Sequence, residues 1–181
     1  GSEARRGSSI CDFCDTDFVG VDGTLGGRYS AQKLVQAIVS CWPEGLPGHP
    51  LVVLTGGEPM LQVDETLVHE LHAAGFEIAI ETNGTLPVPA SIDWICVSPK
   101  GISEIVQTTG HELKLVYPQR QAMPDRFIDF DFQHHYLQPL DKSYIATSSD
   151  DDSFVQQTID YCLQHPQWRL SLQTHKITGI R

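Results

Sequence analysis

The sequence has no long apolar run and little positive charge. None of its apolar segments approaches the roughly 20 residues that a membrane-spanning helix needs, so we expect no membrane-embedded part. Lysine and arginine number 12 against 23 acidic residues, which leaves a formal net charge of -11. This balance argues against a nucleic-acid partner or an acidic membrane surface, because no basic stripe is present. A small anionic ligand held by a few placed groups remains compatible with it.

Signals for secretion and for disulfides are also missing. The N-terminal residues are small, charged and polar, unlike a signal peptide, and the five cysteines are an odd number. Disulfides are therefore not expected, and a reducing, cytoplasmic location is predicted. Cys41, Cys96 and Cys162 each lie in an apolar, periodic segment. We interpret all three as buried structural thiols.

Short apolar runs alternate with helical patterns along the chain. Strands are predicted at residues 51–54, 76–80, 94–97, 112–117, 136–140 and 169–173, and helices at 30–42, 61–74 and 154–163. Ser30 is the expected N-cap of the first helix, and Gly75 follows the second. The 51–54 run is apolar throughout, which predicts a parallel strand buried on both faces. With no internal repeat, residues 1–181 are predicted to be one α/β domain with mostly parallel strands.

Polar clusters follow the predicted strands at their C-terminal ends. They occupy residues 55–59, 81–84, 98–100, 138–141 and 173–175. Parallel strands place their C-terminal ends on one side of a sheet, and active sites of barrels and open sheets lie there. These clusters therefore predict one active site at the mouth of a barrel or open sheet.

Three short motifs carry possible chemistry. The spacing of Cys11 and Cys14 suits a metal, an iron–sulfur cluster or a dithiol redox pair. Gly56 and Gly57 would let the backbone pass close to a ligand, and Glu58 can accept from an amine or a hydroxyl. A tight turn before a helix is the simpler alternative for this motif. The Asn-Gly pair in residues 81–84 is likewise a common turn, which leaves its function open.

Taken together, these motifs resemble the radical S-adenosylmethionine (SAM) enzymes. In that superfamily three cysteines bind three irons of a 4Fe–4S cluster, the fourth iron binds SAM, and a Gly-Gly-Glu-Pro motif contacts the methionine amine. Five further segments narrow the resemblance to the 7-carboxy-7-deazaguanine synthase family. They are residues 14–18, 93–100, 112–116, 138–141 and 173–176, and they extend over nearly the whole chain from Cys11 onward.

The resemblance implies a fold, a reaction and a set of cofactors. The fold is a partial, incomplete radical-SAM β/α barrel, and the reaction converts 6-carboxy-5,6,7,8-tetrahydropterin to 7-carboxy-7-deazaguanine with loss of ammonia, in queuosine biosynthesis. A 5′-deoxyadenosyl radical formed from SAM abstracts hydrogen from the substrate. The expected cofactors are a 4Fe–4S cluster, SAM and Mg²⁺. A homodimer and an electron donor such as flavodoxin are the expected partners.

The same resemblance assigns site residues position by position. Cys11 and Cys14 would bind the cluster, and Thr16 would give its hydroxyl to Mg²⁺, a hard cation that prefers oxygen ligands. Substrate contacts would come from Thr55, His175 and Arg181. The residues expected to contact SAM are Phe13, Cys14, Asp15, Gly57, Ser98, Pro99, Lys100, Gln138, Pro139, Leu140 and Asp141. The adjacent His134 and His135 point to opposite faces of a strand, so we interpret them as surface or packing residues.

The chain departs from the family pattern at its N-terminus. The family carries a first strand with a Gln-Gly-Glu stretch and a first cluster cysteine, whereas no cysteine precedes Cys11. Residues 1–10 resemble the end of an insertion found in some members. We therefore expect that the family's first strand, third cluster ligand and an arginine for the substrate belong to a segment missing from this sequence.

Three other functions fit parts of the pattern. An activase of a glycyl-radical enzyme shares the two motifs of residues 56–59 and 81–84, but Asp15, Thr16 and the short C-terminal tail argue against it. A zinc or dithiol protein would use Cys11 and Cys14, but no second Cys-x-x-Cys supplies the remaining zinc ligands. A degenerate homologue would bind pterin or SAM without turnover.

Overall fold

The computed structural model describes residues 25–43, 45, 47–141 and 151–179, with side chains from residue 154 in the last range. Four helices and six strands follow one another in these ranges. In chain order they are α1 (Ala31–Cys41), β1 (Leu51–Leu54), α2 (Glu65–Ala73), β2 (Glu77–Thr82), β3 (Trp94–Val97), β4 (Thr109–Tyr117), β5 (Asp131–Pro139), α3 (Asp151–Gln164), β6 (Trp168–Leu170) and α4 (Thr174–Thr178). Short 3₁₀ helices occupy Pro59–Leu61 and Pro124–Phe127.

The six strands form one sheet in the order β1-β2-β3-β4-β5-β6. Every neighbouring pair is parallel. Sequential parallel order is the arrangement of a β/α barrel, and in the described residues the sheet is an open arc rather than a closed ring. The predicted α/β class with a partial barrel is confirmed.

The two faces of the sheet differ in chemistry. One face packs against the helices: Ile78 and Ile80 of β2 join Leu71 of α2 in one apolar core, and Leu115 of β4 joins Trp168 in a second. The opposite face, here called the open face, carries Glu81, Cys96, Glu112 and Lys114, which the parallel register brings together. Successive side chains of a strand point to opposite faces, which places Ile78 and Ile80 on the helix side and Glu81 on the open face.

Local capping explains where the helices begin and end. The Ser30 hydroxyl accepts from the Lys33 amide at 3.4 Å, as predicted for the start of α1. The second helix begins at Glu65 rather than near residue 61, because Asp64 caps it and accepts from the Leu67 amide at 2.8 Å. Gly75 ends it with a φ of 86°, the left-handed conformation expected of a residue that follows a helix.

Two predictions about burial are wrong. Leu51 and Val53 are 49% and 48% exposed, because they lie on the open face while Val52 and Leu54 pack on the core, so this edge strand is parallel but not buried on both faces. Cys41 is exposed, because it lies in the last turn of α1, beyond Leu34 and Ile38, which pack on the core. Cys96 is buried as predicted, and Cys162, a residue of α3, is partly buried against the second core.

Other strands differ from prediction only in length. Strands β4 and β5 begin at Thr109 and Asp131, earlier than predicted, and β6 ends at Leu170. His134 and His135 contact aromatic rings, with centroids 6.1 Å from Trp94 and 5.1 Å from Trp168, which confirms them as packing residues. Among the described helices, none has the length and apolar character needed to cross a membrane.

Candidate active site

Glu58 joins the loops that follow β1 and β2. Its Oε1 accepts from the Thr82 hydroxyl at 2.7 Å and from the Met60 amide at 3.0 Å, and its Oε2 accepts from the Asn83 amide at 2.8 Å. Hydrogen bonds to a carboxylate are stronger than those between neutral groups, so these three bonds make Glu58 a clamp between the two loops. Glu58 does accept from a hydroxyl, as its chemistry predicted, but the hydroxyl belongs to the neighbouring loop.

The backbone before Glu58 is exposed at the edge of the sheet where the strands end, which is here called the rim. Thr55, Gly56 and Gly57 are exposed, and Gly56 has a φ of 127°. Apart from its two chain neighbours, no described residue has a heavy atom within 4 Å of the position that a Cβ at Gly56 would take. This segment therefore offers main-chain amides and carbonyls, together with the Thr55 hydroxyl, to a ligand that binds at the rim.

The segment after β3 is held between its neighbours. The Ser98 amide donates to the Thr82 carbonyl at 2.8 Å, which continues the rim from β2 to β3. Pro99 is fully buried and Ser98 is buried, and the Lys100 ammonium donates to the Ser98 hydroxyl at 2.5 Å. Of the three residues, Lys100 is the one that is partly exposed.

The segment after β5 contacts the C-terminal helix. The Leu140 amide donates to the Tyr117 carbonyl at 2.8 Å, and the Asp141 carboxylate pairs with the Lys176 ammonium at 2.5 Å. Lys176 lies in α4 next to His175, which is exposed. Hydrogen bonds and ion pairs thus connect the C-terminal ends of the strands with α4, so the polar clusters form one continuous rim.

An ion pair on the open face lies just below this rim. Both carboxylate oxygens of Glu81 accept from the Lys114 ammonium at 2.8 Å, and Glu112 accepts from the Trp94 indole at 2.7 Å. Burial lowers the pKa of Lys114, but the carboxylates of Glu81 and Glu112 raise it, and the net pKa lies above its usual value. Burial, and next Glu81, raise the pKa of the Cys96 thiol, so this cysteine stays protonated.

Sequence reasoning missed this ion pair as a site feature. Glu81 and Lys114 are 33 residues apart, and the only local signal is a polar residue at alternate positions of an otherwise apolar strand. The ion pair can be predicted only when the order of the strands in the sheet and their register are known.

Comparison with known proteins identifies the family. No family model matches the chain. A 7-carboxy-7-deazaguanine synthase of Caulobacter vibrioides is 53% identical over 99% of this chain and 83% of its own length. Another, of Bradyrhizobium diazoefficiens, is 56% identical over 100% of this chain and 83% of its own length. The chain belongs to the 7-carboxy-7-deazaguanine synthase family.

A solved structure supports the family fold. The crystal structure of QueE from Escherichia coli matches with a TM-score of 0.59 at 27% identity, over 80% of this chain. The chain spans 64% of the length of that protein. The resemblance inferred from the sequence is therefore confirmed at the level of family and fold.

The described residues contain only part of the site that family resemblance predicts. Thr55, Gly57, the 98–100 segment and the 138–141 segment all lie on the rim, and His175 lies in α4, which is tied to it. The remaining predicted residues fall outside the described ranges; they are Cys11, Phe13, Cys14, Asp15, Thr16 and Arg181. Within those ranges, no group of three His, Cys, Asp or Glu residues is placed to hold a metal ion.

Proposed function

We propose that this chain is a radical SAM enzyme that converts 6-carboxy-5,6,7,8-tetrahydropterin to 7-carboxy-7-deazaguanine with loss of ammonia, a carbon–nitrogen lyase of queuosine biosynthesis. The observation that carries the proposal is the 53% and 56% identity to 7-carboxy-7-deazaguanine synthases over nearly every residue of the chain. The continuous polar rim supports it, because ligands of parallel α/β folds bind at the C-terminal ends of the strands.

The rim is chemically suited to SAM. The exposed backbone around Gly56 leaves open space beside hydrogen-bonding groups, which suits the amino-acid part of SAM. We assign SAM binding to Gly57, Ser98, Pro99 and Lys100 and, across the rim, to Gln138, Pro139, Leu140 and Asp141. Phe13, Cys14 and Asp15 complete the proposed set.

Cys11 and Cys14 are the proposed cluster ligands. Such a cluster, once reduced, would supply an electron to bound SAM for the radical removal of a hydrogen atom from the substrate. Thr16 is proposed to bind Mg²⁺ through its hydroxyl. Thr55, His175 and Arg181 are proposed to bind the pterin, with the exposed Thr55 hydroxyl offering it a hydrogen bond from the rim.

The proposed setting is a cytoplasmic homodimer that receives electrons from a donor such as flavodoxin. The odd number of cysteines supports a reducing compartment. Sedimentation of the full gene product measures the oligomeric state, and turnover with and without reduced flavodoxin tests the donor. A monomer, or turnover that reduced flavodoxin cannot sustain, would contradict these assignments.

The decisive experiment uses the full gene product, purified and assayed without oxygen. Incubation with the carboxytetrahydropterin, SAM, Mg²⁺ and a reductant is expected to yield 7-carboxy-7-deazaguanine, and metal analysis about four irons per chain. Cys14→Ser should lose both iron and product. Cys41→Ser is the matched control, because Cys41 is exposed and lies on the helix that precedes β1, so it should retain both. Zinc in place of iron, or a loaded cluster without product, would overturn the proposal.

A further inference from the structure

The loop after β4 supplies two side chains that bind the backbone of the segment after β3. Gln119 is buried, its Oε1 accepts from the Gly101 amide at 2.7 Å, and its Nε2 donates to the Pro99 carbonyl at 3.5 Å. Arg126 donates from Nη1 to the Gly101 carbonyl at 2.6 Å and from Nη2 to the Ser103 carbonyl at 2.5 Å. Both polar groups of the Gly101 backbone are therefore bound by these two side chains.

The backbone at Gly101 has a conformation that favours glycine. Its φ of 55° lies in the left-handed region, where the chain reverses directly after Lys100. In the segment after β3, the hydrogen bonds of Gln119 and Arg126 go to main-chain atoms. These two side chains therefore fix the path of the backbone there. A path held by buried or charge-assisted hydrogen bonds resists displacement more than one held by solvent-exposed contacts.

The support is itself anchored in the protein core. Arg126 belongs to the 3₁₀ helix Pro124–Phe127, and its guanidinium lies 5.3 Å from the ring centroid of Phe127. Phe127 is 1% exposed and packs in the core beneath β4 and β5. A second bond from Arg126 Nη1, to the Gln121 carbonyl at 2.8 Å, closes the loop onto itself. The segment after β3 is thus tied to a rigid part of the molecule.

We infer that Gln119 and Arg126 are positioning residues for SAM: they hold residues 98–101 in the conformation that binds it. The inference rests on the proposed role of Ser98, Pro99 and Lys100 in SAM binding. Neither Gln119 nor Arg126 is assigned a contact with SAM, and they act through Gly101 and Pro99. A misplacement of about 1 Å in a binding group can weaken its function by roughly a hundredfold, so loss of either support should be measurable.

The test compares SAM binding and turnover in variants of the full, cluster-loaded gene product. Arg126→Ala and Gln119→Ala are expected to weaken SAM binding by roughly tenfold or more, followed through the change that SAM causes in the EPR spectrum of the reduced cluster. The KM for SAM should rise in parallel while the KM for the pterin stays near its original value. Arg126→Lys should restore binding only in part, because lysine lacks the planar guanidinium that reaches the Gly101 and Ser103 carbonyls together.

Matched controls separate positioning from folding. Arg120→Ala removes an exposed arginine from the same loop and should leave SAM binding unchanged. Gln119→Glu and Arg126→Lys leave no large void, so they keep the test usable if an alanine variant does not fold. Melting temperatures of all variants show which of them are folded.

The outcomes distinguish the inference from the proposed function. If the unaltered protein carries the cluster but SAM does not change its spectrum, the proposed function fails and the inference fails with it. If the unaltered protein binds SAM while folded Arg126 and Gln119 variants bind it equally well, only the inference fails. Equal increases in both KM values would also overturn it, because a general loss of structure would then explain the effect.

Discussion

At the scale of single residues, the rim depends on side chains that bind backbone. Glu58, Gln119 and Arg126 each accept from or donate to main-chain groups of a neighbouring loop. Motif reasoning predicted that Glu58 accepts from an amine or a hydroxyl, and it does accept from a hydroxyl, but that reasoning did not name the residue that donates. Its partners Thr82 and Asn83 lie 24 and 25 residues away, beyond any local pattern.

Glu58→Gln should destabilise the protein and disorder the rim. An amide can accept through one oxygen only, so the bond from the Asn83 amide or the bonds from Met60 and Thr82 are lost. Leaving such groups unsatisfied costs about 1–3 kcal/mol in the free energy of unfolding, measured by urea denaturation. Glu77→Gln is the matched control at an exposed position of β2. Equal stability of the two variants would argue against the clamp.

Gly84→Ala and Gly75→Ala form a pair that separates backbone strain from steric overlap. Both glycines have positive φ, 79° and 86° respectively. A Cβ at Gly84 would lie 2.6 Å from Val97 Cγ1 and 3.0 Å from Ile105 Cγ2, whereas one at Gly75 would have no heavy atom of the described residues within 4 Å apart from its chain neighbours. We expect a loss of about 1 kcal/mol at Gly75 from conformation, and about 1–3 kcal/mol more at Gly84 from overpacking. If thermal unfolding shows equal losses of stability in the two variants, the expected steric overlap at Gly84 is contradicted.

At the scale of elements, one carboxylate joins α2 to the sheet. Asp93, just before β3, accepts from the Ile78 amide at 2.8 Å and pairs with His72 of α2 at 2.9 Å. Burial raises the pKa of Asp93, but the bonds from His72 and Ile78 outweigh it, so the net pKa lies below the usual 3.8. Helix α2 is thereby fixed against β2 and β3 while its apolar side packs on the core.

The sign of this pKa shift gives a pH-dependent prediction. A carboxylate whose pKa is lower in the folded state stabilises the protein above its unfolded pKa, and this contribution is lost as pH falls through the folded pKa. Asp93→Asn should therefore be less stable than the unaltered protein at pH 6, and the difference should shrink as pH falls below 3.8. Urea denaturation over this pH range measures it. A difference that does not change with pH would count against a charged Asp93 as the cause.

At the scale of the whole molecule, the sheet and the C-terminal helix act as one frame for the site. The Lys176–Asp141 pair connects α4, which carries His175, to the segment after β5. A partly exposed ion pair contributes only about 0.2–1 kcal/mol, so its role is placement more than stability.

Lys176→Ala should raise the KM for the pterin about two- to fivefold, because α4 loses a tie to the rim and His175 is held less well. The melting temperature should change little. Steady-state kinetics of the full gene product measure the effect, with Lys33→Ala on the exposed side of α1 as the control. An unchanged KM for the pterin would show that the ion pair does not place the C-terminal helix.

The sequence by itself determined the family, the parallel α/β sheet and most element positions. The sequence predicts the start of α1 at Ser30, the end of α2 at Gly75 and a strand at 51–54. Each of these depends on neighbours a few residues away, so each can be predicted without a structure. The exposure of Cys41 and β1, the Glu58 clamp, and the Glu81–Lys114 pair were decided only by the tertiary structure. The physical reason is that burial and long-range pairing depend on which strands adjoin and in what register, and no short stretch of sequence contains that information.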